Sequence, residues 1–190
     1  PQVLGYWKFA PDAPTADSSG KGHTLTLEGA RAVGEGKHDG ALESFPGAPV
    51  EDRRHAALAA VLPGLSPKGA FTAEMWIKPG ADLVPALSPV LLDKKYVADT
   101  DYQWRLTAAD KGGARRMQVS LGFGDDSETV HSEPFLAGTD WQHVAFTYDG
   151  AGEVRFFRNG APIGIVRRPG RGALAAGTPS TWPATIVDPS

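Results

Sequence analysis

Twenty-two carboxylates and five histidines are the residues of this 190-residue chain with the widest chemical reach. Cleaving a glycosidic bond takes two carboxyl groups held at a fixed separation. A strand reading Glu-x-Asp-x-x-Glu would aim its acids into one groove, because side chains alternate with period two. Here the acid inside a firm early strand pattern is Glu74, and positions 72, 76 and 78 are Thr, Trp and Lys. Asp125, Asp126 and Glu128 fall in a turn (GDDSE), where no strand fixes their geometry. His23, His38, His55, His131 and His143 are never two or four apart, so zinc-ligand spacing is missing. His143 reads instead as a hydrogen-bonded histidine on one sheet face. There is no Gly-x-Ser-x-Gly elbow, and Ser19-Gly20-Lys21-Gly22 lacks the flanking residues of a phosphate loop. The expectation is a protein that is not an enzyme and requires no cofactor.

Two other chemistries remain. Acidic turns can hold calcium, a hard cation that takes about six to eight oxygen ligands. Asp12 with Asp17, Asp99 with Asp101, and Asp125 with Asp126 are the candidates, against the alternative that turns simply favour Asp for its bonds to nearby backbone. Sugars are held by aromatic faces beside planar hydrogen-bonding groups, because a pyranose presents both C–H and hydroxyl edges. Trp76, Tyr96, Tyr102, Trp104, Phe123 and Trp182 are aromatics that can reach a groove or rim. Lys78, Asp99, Asp101, Gln103, Arg105 and Gln118 can supply polar contacts. Tyr102 and Trp104 share one face of a strand beside the Asp99–Asp101 loop, so the expected ligand site is Tyr96, Asp99, Asp101, Tyr102, Trp104 and Arg105. The expected metal positions are Asp12 and Asp17.

The elements that must position these residues are strands. Phe71–Lys78 puts Phe71, Ala73, Met75 and Ile77 on one face and Thr72, Glu74, Trp76 and Lys78 on the other. Tyr102–Thr107 and Arg116–Phe123 alternate in the same way. Trp141–Val166 reads as a three-stranded meander whose second turn, Asn159-Gly160, suits a type I′ hairpin. Glu51–Leu62 fits either a helix or a strand, with strand favoured by its surroundings. Arg167–Thr181 reads as a loose surface loop before a last strand-like stretch at Trp182–Val187.

The 23 glycines and 16 prolines accord with many turns and an all-β fold, a jelly-roll or sandwich with little or no helix. A net charge of −3 gives no broad basic footprint, so nucleic acid and anionic membranes are not expected partners. No apolar run approaches the length of a membrane-spanning helix. The absence of cysteine removes thiol chemistry without fixing the compartment. No signal peptide is visible at Pro1.

Several fragments, in order, resemble the laminin-G-like domain of the concanavalin A-like lectin/glucanase superfamily. They are Gly5–Phe9 (GYWKF), Asp17–His23 (DSSGKGH), Gly40–Phe45 (GALESF), Phe71–Pro79 (FTAEMWIKP), Trp141–Gly150 (WQHVAFTYDG) and Phe157–Gly160 (FRNG). The resemblance implies one domain over residues 1–190, built as a jelly roll of two curved antiparallel sheets, with Gly5–Phe9 as its opening strand. It further implies a non-catalytic carbohydrate-binding or adhesion module of a larger secreted or cell-surface bacterial protein, located outside the cell, in the periplasm or at the surface. The alternatives are a protein-binding or spacer domain and, further off, a glycan-cleaving enzyme. Trp7, Trp76 and Trp141 lie within motifs that form the core of such domains. A structural calcium would sit near Asp17, where Lys21 replaces the family's Asn. The family's closing strand would begin where this sequence stops, which implies a domain cut short and an unpaired edge open to strand addition or a dimer.

Overall fold

The computed structural model describes residues 2–44, 56–59, 63–94, 99–177 and 184–186. Among these residues, fifteen strands and one 3-10 turn (Pro63–Leu65) make up the regular structure. In chain order the strands are β1 (Leu25–Glu28), β2 (Arg31–Val33), β3 (Ala41–Glu43), β4 (Ala56–Ala59), β5 (Phe71–Ile77), β6 (Val90–Asp93), β7 (Tyr102–Leu106) and β8 (Ala114–Arg115). They continue as β9 (Met117–Gly122), β10 (Ser127–His131), β11 (Phe135–Leu136), β12 (Gln142–Tyr148), β13 (Glu153–Arg158), β14 (Ala161–Arg167) and β15 (Ala184–Ile186). A large sheet of seven strands runs β1-β4-β15-β6-β7-β9-β10, and a small sheet of four runs β14-β13-β12-β5. Two short ribbons, β2-β3 and β8-β11, complete the set. Every pairing is antiparallel.

Alternation decides what lies between the sheets. From β5 come Phe71, Ala73, Met75 and Ile77, as the sequence implies, and from β12 Val144, Phe146 and Tyr148. The large sheet contributes Tyr102, Trp104 and Leu106 from β7 and Met117, Val119 and Leu121 from β9. Aromatic rings knit the layers: Trp104 meets Phe146 edge-on at 5.2 Å, and Phe71 meets Phe146 at 5.5 Å and Tyr102 at 5.2 Å. Edge-on pairs are favoured because the positive rim of one ring faces the negative face of the other. A second cluster of Leu25, Leu42, Ala57, Ala59 and Leu65 lies at the β1 end of the large sheet, with Trp7 and Phe9 packed on it.

The meander forms as read. Asn159 (φ 50°) and Gly160 (φ 79°) both take the left-handed conformation that a type I′ turn demands. Residues 56–59 are strand, not helix. The strand-like stretch at Trp182–Val187 contains β15, seated in the interior of the large sheet between β4 and β6. Two expectations are corrected. Gly5–Phe9 forms no strand, only an isolated bridge between Trp7 and Asp17. And the tail beyond Arg167, read as loose, is pinned over residues 168–177. Arg171 takes both Asp126 oxygens (2.8 and 2.6 Å) and Glu128 (2.9 Å), with its guanidinium 4.8 Å over Phe123. The hydrogen bonds that the Arg171 guanidinium donates to the Asp126 and Glu128 carboxylates hold it firmly in its charged form. Leu174 is buried in the main core, and the Gly177 N–H donates to Asp101 (2.8 Å).

Candidate functional site

An open groove of about 490 Å³ lies on the outward face of the small sheet, lined by Lys37, Trp76, Trp141, His143, Asn159 and Gly160. Register builds it. Trp76 on β5 pairs with His143 on β12, and inward-facing neighbours on either side leave both rings on the outer face. Their centroids are 5.3 Å apart. The Asn159-Gly160 turn closes against the same point: the Asn159 N–H donates to the His143 carbonyl (2.8 Å) and the His143 N–H to Asn159 Oδ1 (2.9 Å). That leaves the exposed Asn159 NH2 group without a protein partner among the described residues. Glu74, one pleat along β5, lies 3.6 Å from His143 Nε2.

The β2–β3 loop supplies the fourth wall. Lys37 Nζ stands 4.8 Å above the Trp76 ring and His38 meets that ring edge-on at 5.7 Å. The loop can reach there because Gly40 is pressed to the backbone of Phe9, where an added Cβ would stand 1.9 Å from the Phe9 carbonyl oxygen. The result is a half-exposed indole surrounded by an ammonium, two imidazoles and an amide. Such a surface can stack on the C–H face of a sugar while the polar groups take its hydroxyls.

A family described as the concanavalin A-like lectin/glucanases superfamily (Laminin_G_3) matches residues 52–186. The chain belongs to that superfamily. No curated protein matches the sequence. Among solved structures, the concanavalin A-like fold here is similar to the binding domain of Paraclostridial Mosquitocidal Protein 1, with a TM-score of 0.65, 13% identity, and coverage of 90% of this chain and 40% of that one. It is similar also to the binding domain of botulinum neurotoxin DC in complex with rat synaptotagmin II, with a TM-score of 0.59, 14% identity, and coverage of 90% and 40%. A third is a structure of botulinum neurotoxin type C, whose cell entry is dependent upon interaction with two ganglioside molecules, with a TM-score of 0.53, 12% identity, and coverage of 90% and 40%. The chain therefore spans about two fifths of each of these three structures.

Within this concanavalin A-like domain the residues expected at the ligand site scatter. Tyr102 and Trp104 share a face, but it is the inner one: Trp104 is 0% exposed, and Tyr102 is buried with its hydroxyl donating to the Leu65 carbonyl (3.4 Å). Burial and the nearby Asp101 charge push the Tyr102 hydroxyl well above the usual phenol range. Neither ring can stack on a ligand. Asp101 is 2% exposed, with Lys94 Nζ at 3.5 Å, and Gly124 donates to the Asp99 carbonyl (2.7 Å), so this loop ties β7, β9 and the tail together. Arg105 faces outward with Gln103, on the opposite side of β7 from Trp104. Phe123 is covered by Arg171. Tyr96 and Trp182 lie outside the described residues.

The tryptophans read as core divide. Trp7 is structural, its indole N–H donating to the His23 carbonyl (2.8 Å). Trp76 and Trp141 instead line the groove. Asp17, the expected metal ligand, spends both oxygens on protein donors: the N–H groups of Tyr6 (3.1 Å), Ser19 (2.8 Å) and His23 (3.0 Å) and the Ser19 hydroxyl (2.8 Å). Burial pushes this carboxyl up, but hydrogen bonds from Ser19, His23 and Tyr6 outweigh that and hold it well below the usual carboxylate range. Asp12 is exposed, and no cluster of three metal-ligating side chains occurs among the described residues.

Proposed function

We propose that this domain is a non-catalytic carbohydrate-binding module of a larger secreted or cell-surface protein, and that it takes its sugar in the groove around Trp76. The observation that carries the reading is an indole turned out of the sandwich and ringed by Lys37, His143 and Asn159. A buried aromatic needs no such escort. Glu74 faces Ala145 across the strand pair, with no second carboxyl opposite it, which supports binding over hydrolysis. Two of the similar structures are named as binding domains, and a third is of a neurotoxin whose cell entry depends on two ganglioside molecules, which agrees with a glycan ligand. A protein partner is the second reading, favoured by the likeness to a domain in complex with synaptotagmin II.

Affinity electrophoresis through gels holding a panel of polysaccharides tests the proposal. Retention on at least one glycan, lost in Trp76→Ala, is the expected result. Equal mobility in every gel overturns the sugar reading and favours the protein partner.

A further inference from the structure

The outward face of the large sheet carries a different arrangement, independent of the Trp76 groove. Arg105 on β7 pairs in register with Gln118 on β9, and Gln118 with His131 on β10. Two residues along, Gln103 pairs with Ser120 and Ser120 with Thr129. These side chains form two polar rungs: His131 Nε2 lies 3.2 Å from Gln118 Oε1, and Ser120 Oγ lies 2.8 Å from Thr129 Oγ1. Gln103 donates to Asp93 (2.7 Å) and accepts from Arg105 Nη2, so Asp93 reaches Arg105 only through an amide.

Arg105 is the anomaly. Its guanidinium is half-buried, its Nε–H is shielded from water without a hydrogen-bond partner, and no carboxylate among the described residues lies within ion-pair distance. A desolvated, unpaired donor on a cation is costly, and the cost is relieved when the side chain turns outward to an anion that supplies the missing acceptor. Guanidinium groups favour planar two-oxygen anions, which they take through paired N–H bonds.

We propose that Arg105 anchors a second site on this face and that its occupant is a carboxylate-bearing saccharide, a uronate. The carboxylate meets Arg105, and the amide and hydroxyl rungs meet the sugar hydroxyls. From β7 to β10 the rungs span two strand spacings, about 10 Å, which is the length of a disaccharide. Because the two outward faces look in opposite directions, a domain holding sugars on both would bridge two chains.

The test is a titration of the whole domain with trigalacturonate, read by the side-chain Nε–H resonance of Arg105 in NMR spectra and by calorimetry. The resonance moves on addition, Arg105→Lys weakens binding by about tenfold or more through loss of the paired geometry, and Lys111→Ala, which removes an exposed cation of the β7–β8 loop, binds as wild type. Since the first readout uses the unaltered protein, it stands even if the variant folds poorly. An unmoved resonance at millimolar ligand overturns the proposal. So does equal binding of the carboxyl-reduced trisaccharide, or of hexaglutamate, which would make the face a reader of acidic peptide. Loss of uronate binding in Trp76→Ala but not in Arg105→Lys would move the acid to the other face and overturn it as well.

Discussion

Trp76 and His143 stand directly opposite each other on β5 and β12, ring centroids 5.3 Å apart, both on the side of the small sheet that faces away from the core. A ring pair of this kind contributes little to holding the sheets together, because the core lies on the other face. Its consequence is a platform, and the platform distinguishes two classes of tryptophan in one domain.

Trp76→Ala should therefore remove glycan binding while changing stability by no more than about 1 kcal/mol, as expected of a position outside the core. Trp104→Ala should do the reverse, losing about 3–5 kcal/mol as a cavity opens against Phe146. Trp104→Phe, which refills part of that space, should keep ligand affinity. Thermal melts beside affinity gels check both halves.

Strand alternation already held this distinction. In Phe71–Lys78, period two sets Trp76 with Thr72, Glu74 and Lys78 on the polar face, and the structure agrees. Motif resemblance pulled it toward the core instead. Tyr102-Gln103-Trp104-Arg105-Leu106 carries the same information: the polar residues alternate with the apolar ones, so the apolar face is the one that packs. Lys37 and His38 over Trp76 had no local signal, since the loop reaches that ring only through the contact of Gly40 with Phe9. The pinned tail was equally hidden, as Arg171 finds Asp126 and Glu128 more than 40 residues away in sequence.

Gly40→Ala tests how the groove is walled. The added methyl meets the Phe9 carbonyl, so the loop or the N-terminal segment must shift, at a cost of about 1–3 kcal/mol. The prediction is a weaker glycan complex together with a lower melting temperature, whereas Lys37→Ala weakens binding alone.

Asp17 should make stability acid-sensitive. Its carboxyl is held below the ordinary value of 3.8, so its contribution is fully present above about pH 4 and is lost as pH falls further and the group is protonated. Asp17→Asn should lower stability at neutral pH by about 1–3 kcal/mol, the usual worth of hydrogen bonds to a charged group, and flatten the acid limb of a stability–pH curve. Denaturant melts from pH 2 to 7 measure both.

Arg171→Ala should free the 168–177 strap, since that side chain joins Asp126, Glu128 and Phe123 at once. Limited proteolysis should then cut within the strap in the variant well before it cuts the wild type, with the sandwich left intact.

The most direct test of the binding platform is the indole N–H region of an NMR titration, in which each of the five tryptophans gives its own signal. With an oligosaccharide drawn from the retained polysaccharide, the signals of Trp76 and Trp141 should move together while that of Trp104 stays fixed. Movement of Trp104 with Trp76 and Trp141 unchanged would contradict the account.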